Sequence, residues 1–145
     1  MTPSSEVLLV EDNPGDVRLI QEAFSESEGD HALHVAATGG DALEWLNERA
    51  RDPDRSNPDL VLLDLNLPGT DGYDVLEAIR GHSKLRRLPV VVLTSSNASE
   101  DVEKCYRTHA NAYLTKPIDT GVLVSMVRVI ERFWFEHARL PPEPQ

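Results

Sequence analysis

The chain has one cysteine, Cys105, in 145 residues. A lone thiol excludes an internal disulfide and a cysteine-based zinc site. Its position in "VEKCYR", three residues after Val102, reads as core-side packing rather than a reactive thiol. No apolar run approaches the ~20 residues that span a bilayer. The opening "MTPSSEVLLV" has no basic stretch ahead of its short apolar run, so no signal peptide is expected. These absences point to the cytoplasm and away from membranes. Basic residues are scarce: 14 Lys and Arg against 25 Asp and Glu, a net charge of −11. Such a domain repels a phosphate backbone, so nucleic acid is not an expected partner. The pattern G-x-x-x-x-G-K-[ST] is missing, which excludes a P-loop nucleotide site. None of His31, His34, His82, His109 and His137 pairs at metal-ligand spacing, and all five read as surface or structural. Arg86 and Arg87 in "SKLRRLP" read as a solvated loop.

What the chain does have is a regular alternation of apolar runs and helical patterns. "EVLLV", "ALHVAAT", "LVLLDL", "LPVVVLT" and "NAYLT" read as five strands. Between and after them lie five helical segments. In the first, Asn13 is placed to cap and Pro14 to open the helix, with Val17, Ile20 and Phe24 on one face. In the second, Ala42, Leu43, Leu46 and Ala50 face inward. Asp71 can cap the third helix and Asp119 the last. Near-continuous apolar strands joined by helices predict a parallel sheet covered on both faces, a three-layer α/β domain. Residues 1–140 are expected to form this one domain, with 141–145 as an extended proline-rich tail and no output domain.

Ligands of open parallel sheets collect at the carboxyl ends of the strands. The first strand delivers Glu11 and Asp12 there, the third Asp64, the fourth Thr94 with Ser95 and Ser96, and the fifth Lys116. If the strand order is 2-1-3-4-5, the first and third strands are neighbours about 4.8 Å apart. Asp12 and Asp64 then share one small site with Glu11 beside them. Taken singly, each acid is an ordinary solvated strand end. Together they need a counter-charge, and Mg²⁺, a hard cation that takes oxygen ligands, suits them. An aspartate beside such a cation can attack a phosphoryl group. Asp64, mid-edge on the most apolar strand, is the best nucleophile. Lys116 would neutralise the phosphoryl oxygens and Thr94 would donate its hydroxyl to one of them.

"VEDNPGD", "LVLLDLNLPGTDGYDVL", "VVVLTSS" and "AYLTKPID", in this order and at this spacing, resemble the receiver domain of two-component response regulators. The resemblance covers residues 6 to about 135. It implies a doubly wound, flavodoxin-like fold with strand order 2-1-3-4-5 and five helices. It also implies Asp64 as phospho-acceptor, and Glu11, Asp12, Asp64 and the Asn66 backbone carbonyl around Mg²⁺, with Mn²⁺ an alternative. Thr94 is then the switch hydroxyl and Tyr113 the aromatic that turns inward as Thr94 is drawn to the phosphoryl group. Lys116 pairs with the phosphate, and the Lys116–Pro117 peptide is expected to be cis. Asn66 and Ser96 fall where side chains tune dephosphorylation. "DNPGD", "DLNLPG" and the proline-containing loop after the second helix are most similar to stand-alone regulators that serve bacterial and cyanobacterial phytochromes. A sensor histidine kinase is therefore the implied partner. The role is that of a regulator with self-catalysed phosphorylation and dephosphorylation, not a metabolic enzyme.

Other readings weigh less. A pseudo-receiver without phosphorylation would not need the full set Glu11, Asp12, Asp64, Thr94 and Lys116. A phosphatase of the haloacid dehalogenase type would want an aspartate two residues after Asp64, where Asn66 stands. A phosphate sink or a relay intermediate stays open beside a docking role. The last helix is too apolar for one buried face: Val122, Met126, Val129 and Phe133 form one stripe, and Leu123, Val127, Ile130 and Trp134 another. The extra stripe predicts a homodimer through the last helix, the fifth strand and the tail, with packing beneath the tail as the alternative.

Overall fold

The computed structural model describes residues 5–27 and 29–142. Its strands are β1 (Ser5–Val10), β2 (His31–Ala36), β3 (Leu60–Leu63), β4 (Val90–Thr94) and β5 (Ala112–Thr115). Its helices are α1 (Pro14–Ser25), α2 (Gly39–Arg51), α3 (Gly72–Gly81), α4 (Ser99–Arg107) and α5 (Thr120–Arg132). All strand pairs are parallel, in the order β2-β1-β3-β4-β5, as expected.

Side chains alternate across a strand, and the two cores follow that period of two. Val7, Leu9, Leu60, Leu62, Val91 and Leu93 point to one face, where Ile20 and Phe24 of α1 and Leu123, Val127 and Ile130 of α5 cover them. Leu8, Val10, Val61, Leu63, Val90 and Val92 point to the other, beneath Leu46 of α2, Val75, Leu76 and Ile79 of α3 and Cys105 of α4. Each fully buried Val or Leu contributes roughly 1.5–3 kcal/mol, so these central strands hold the domain together. The cap residues act as expected: Asn13, Asp71 and Asp119 each accept a hydrogen bond from a first-turn N–H.

Four details refine or depart from the sequence reading. The third strand ends at Leu63, so Asp64 lies just past it, although its N–H still donates to the Val10 carbonyl at 3.0 Å. The last helix widens into a π-helical turn over Phe133–His137. With it, Trp134 and Phe135 pack against the α1/α5 core and Phe135 lies 5.0 Å from the His31 ring. His31 is structural, with its side chain buried: it bonds Ser5 on β1 and, through Nε2, Glu131 on α5 at 2.8 Å. The expected tail falls partly outside the described residues. Leu140, Pro141 and Pro142 line a small cavity with Asn57, Pro58, Asp59, Lys84, Arg87, Leu88 and Pro89 of the same chain. Leu140, Pro141 and Pro142 thus lie at the feet of β3 and β4, beside Pro58 and Pro89.

Gly72 opens α3 directly against the β3 end. A Cβ there would lie 2.3 Å from the Asp64 carbonyl oxygen and 2.6 Å from Leu65 Cα, both backbone atoms that cannot step aside. Gly72→Ala is expected to destabilise the domain by about 1–3 kcal/mol. Urea denaturation of the two proteins measures this; equal midpoints would show that the contact is slack.

Candidate functional site

The acidic edge forms where β1 and β3 end side by side. Glu11 follows β1, and its N–H donates to the Ala36 carbonyl at 3.0 Å, which holds its side chain inward. That side chain is 2% exposed and accepts a hydrogen bond from the Asn13 N–H at 3.2 Å. Asp12, next along, is exposed. Asp64 is buried, and its Oδ1 accepts from the Asn66 N–H at 3.2 Å. Carboxylate oxygens of Glu11, Asp12 and Asp64 all lie within 4.8 Å of one another.

Lys116 reaches this cluster from the end of β5. Its backbone N–H donates to the Thr94 carbonyl at 2.7 Å, which fixes where the side chain starts. Its Nζ lies 3.1 Å from Asp64 Oδ2 and 2.9 Å from Asp16 Oδ2, and pairs with Glu11 as well. The Lys116–Pro117 peptide does not adopt the expected cis form, for no cis peptide occurs among the described residues. Trans is the lower-energy form of such a bond by roughly 0.5–1 kcal/mol, and the ammonium reaches its partners from it.

Three carboxylates therefore share one ammonium, with Asp12 beside them. Burial pushes the Glu11 carboxyl up to about 7; its bond to Lys116 opposes the rise and the Asp64 charge adds to it. Burial also pushes Asp64 upward, but the Thr94 hydroxyl beside it and the Lys116 charge outweigh this and hold it below its ordinary value. Burial works against the Lys116 charge, and Glu11 and Asp16 outweigh that burial, so its pKa is raised. An all-oxygen donor set with excess negative charge fits a hard divalent cation.

Thr94 is fully buried at the end of β4. Its hydroxyl is close enough to act on Asp64 but makes no hydrogen bond of acceptable geometry, and it is the one buried side-chain polar atom without a partner among the described residues. Tyr113 is already turned inward: its Oη donates to the Ser96 carbonyl at 2.7 Å, and the ring packs on the core under α2, α3 and α4. The Ser96 hydroxyl is directed to α4, where it donates to Asp101 at 2.5 Å.

The structure thus brings Glu11, Asp12, Asp64 and Lys116 together as read, with Thr94 next to them, Ser96 on the loop after β4 and Tyr113 on β5 beside that loop. Asn66 contributes its N–H to Asp64. Asp16 was missed. It lies in the first turn of α1, where its N–H donates to the Asn13 side chain and its carboxylate meets Lys116.

The family model for the response regulator receiver domain matches residues 7–128. The chain belongs to the response regulator receiver family. Response regulator Rcp1 of Synechocystis sp. is 43% identical over 139 residues, covering 96% of this receiver and 95% of that protein. The probable methanogenesis regulatory protein FilR2 of Methanothrix harundinacea is 38% identical, covering 93% and 86%. Among solved structures, the phosphorylated cyanobacterial phytochrome response regulator RcpA superposes with a TM-score of 0.89 at 41% identity, covering 95% of this receiver and 99% of that chain. The Mn²⁺-bound form of Rcp1 gives a TM-score of 0.88 at 43% identity, with the same coverage.

The raised Glu11 pKa gives the metal-free receiver a signed pH dependence. Between its ordinary 4.5 and about 7, folded Glu11 binds more protons than unfolded Glu11. Its contribution to stability therefore falls as pH rises through that window. Glu11→Gln is expected to flatten this part of the profile in EDTA, as read by urea midpoints at several pH values. A variant whose profile parallels the parent's would show that Glu11 titrates normally.

Proposed function

We propose that this receiver takes a phosphoryl group onto Asp64 from a phosphohistidine of a sensor histidine kinase and returns to the free carboxylate by hydrolysis. The observation that carries the reading is the buried Asp64 carboxylate facing the Lys116 ammonium at 3.1 Å, beside the unpartnered Thr94 hydroxyl. Asp64 Oδ attacks phosphorus, a P–O bond forms, and the P–N bond breaks with its electron pair left on the imidazole. Lys116 faces the phosphoryl oxygens in place of a carboxylate partner. Thr94 donates to one of those oxygens and so gains the partner it lacks. Such a reaction needs mainly positioning and charge neutralisation, which is why the receiver can catalyse it without a general base. Hydrolysis reverses the charge change: water attacks phosphorus and inorganic phosphate leaves. Glu11, Asp12 and Asp64, with the Asn66 backbone carbonyl, would hold Mg²⁺ or Mn²⁺, which when bound neutralises charge on the phosphoryl oxygens.

The phosphoryl group adds about −1.5 to −2 charge, and its effect passes through Thr94 and Tyr113 to the surface of α4, β5 and α5. Asn66 and Ser96 border that path and tune the return step. Residues 1–140 act as one unit, with 141–145 as tail. The kinase is a phytochrome, a reading supported by the similarity to RcpA and Rcp1, and the setting is the cytoplasm. A homodimer through α5, β5 and the tail is supported by the exposure of Val122 (51%), Val129 (65%) and Phe133 (53%) along one stripe of α5 and the turn that follows it.

Two measurements test these readings. Incubation with Mg²⁺ and acetyl phosphate is expected to add one phosphoryl group by intact mass, and none to Asp64→Asn or to the parent in EDTA. Uptake by Asp64→Asn, or none by the parent, refutes the acceptor role; the second outcome favours a pseudo-receiver. Val129→Glu with Phe133→Glu is expected to convert the dimer to a monomer in sedimentation equilibrium. A monomeric parent would refute the dimer.

A further inference from the structure

Helix α4 is the least anchored helix of the receiver. Cys105 is its one buried residue, and its cap position, Ala98, offers no side-chain hydrogen bond. Its N-terminus is held instead by side chains from neighbouring segments. Tyr73 Oη, from the first turn of α3, lies 3.1 Å from the Asp101 carbonyl and 3.0 Å from Asp101 Oδ1. The other carboxylate oxygen of Asp101 accepts the Ser96 hydroxyl at 2.5 Å. The Ala98 N–H lies 3.4 Å from the same hydroxyl. Lys104 Nζ sits 3.9 Å from the centre of the Tyr73 ring, which fixes the ring over α4.

This chain of contacts begins and ends at the acceptor edge. Tyr73 directly follows Gly72, whose backbone is pressed against the Asp64 carbonyl and Leu65 Cα. Ser96 stands two residues past Thr94, whose hydroxyl lies beside Asp64, and its carbonyl is held by Tyr113. Both polar groups of Ser96 are thus engaged away from Asp64. The bond from Ser96, and then that from Tyr73, hold the Asp101 carboxyl below its ordinary value, so it is an acceptor at neutral pH. No part of the transfer described above uses Asp101 or Tyr73.

We propose that Asp101 is a positioning residue for the acceptor site: held by Tyr73, it keeps the Ser96 hydroxyl on α4 and away from water approaching Asp64, and so lengthens the life of the acyl phosphate. The inference rests on Asp64 as acceptor. A Ser96 hydroxyl released from Asp101 is free to hydrogen-bond a water next to the phosphoryl group and align it for attack on phosphorus. Water then forms the new P–O bond, the bond from phosphorus to Asp64 breaks, and inorganic phosphate departs.

The parent, Asp101→Ala, Ser96→Ala, the double variant and Tyr73→Phe are loaded with acetyl phosphate and Mg²⁺, freed of donor, and followed by intact mass. Asp101→Ala is expected to lose its phosphoryl group about three- to tenfold faster, the scale of one net hydrogen bond. Tyr73→Phe keeps the ring and its Lys104 contact, and is expected to move the rate the same way by less. Adding Asp101→Ala to Ser96→Ala is expected to change nothing, which a general loosening of α4 would not produce. Equal lifetimes for parent and Asp101→Ala, or the same acceleration in the Ser96→Ala background, overturn the inference while leaving Asp64 as acceptor. A parent that takes up no phosphoryl group overturns both.

Discussion

The charge on Lys116 is the constraint from which the rest of the site follows. Glu11, Asp16 and Asp64 all turn toward that ammonium, and Asp12 stands beside them. Two of these acids are almost wholly buried, where an ionised carboxylate costs several kcal/mol unless it is paired. One cation cannot satisfy four anions, so the edge carries standing negative charge. Burial raises Glu11 to about 7, and the Asp64 charge adds to that rise. The deficit makes the site receptive to a divalent cation. It also leaves Lys116 able to exchange a carboxylate for a phosphoryl oxygen at little cost, since each of its bonds has a substitute within reach.

Thr94 supplies the complementary shortage. A buried hydroxyl without a partner costs about 1–3 kcal/mol, and here it sits one strand away from the carboxylate that would carry the phosphoryl group. Lys116 and Thr94 are joined by the last β4–β5 backbone hydrogen bond at 2.7 Å. An anion that engages both side chains therefore pulls on two adjoining strand ends at once. Tyr113 is already hydrogen-bonded to the Ser96 carbonyl, so its inward position does not require the phosphoryl group. What a phosphoryl group adds is a reason for Thr94 to move, and with it the loop that carries Ser96.

Much of this was legible in the sequence because it depends on short-range rules. Period-two burial and the caps at Asn13, Asp71 and Asp119 follow from spacing, and the strand order that the receiver resemblance implies brought the ends carrying Glu11, Asp12, Asp64, Thr94 and Lys116 together before any coordinates. The remainder depends on contacts between distant segments. Asp16 meets Lys116 across 100 residues, and Tyr73 meets Asp101 across 28; no spacing announces either pair. The tail's return to Pro58 and Pro89 is likewise a tertiary choice, made by which apolar surface lies nearest. His31 looked like one histidine among five, and only the fold places Glu131 and Ser5 on either side of it.

The two faces of the sheet are held unequally, and this decides where a signal can travel. On the α1/α5 face, Ile20, Phe24, Leu123, Val127 and Ile130 interlock, and the Ser5–His31–Glu131 chain ties the end of α5 to the first two strands. Moving that face would expose many apolar side chains together. On the opposite face α4 contributes one buried side chain, and its N-terminus depends on side-chain hydrogen bonds to Asp101 and Ser96. Elements with little buried surface open and shift at low cost. A displacement of Thr94 therefore meets least resistance along β4, the Ser96 loop and α4. The sturdier face holds the acidic edge in register, and the weaker one is the face with least buried surface to lose if it shifts.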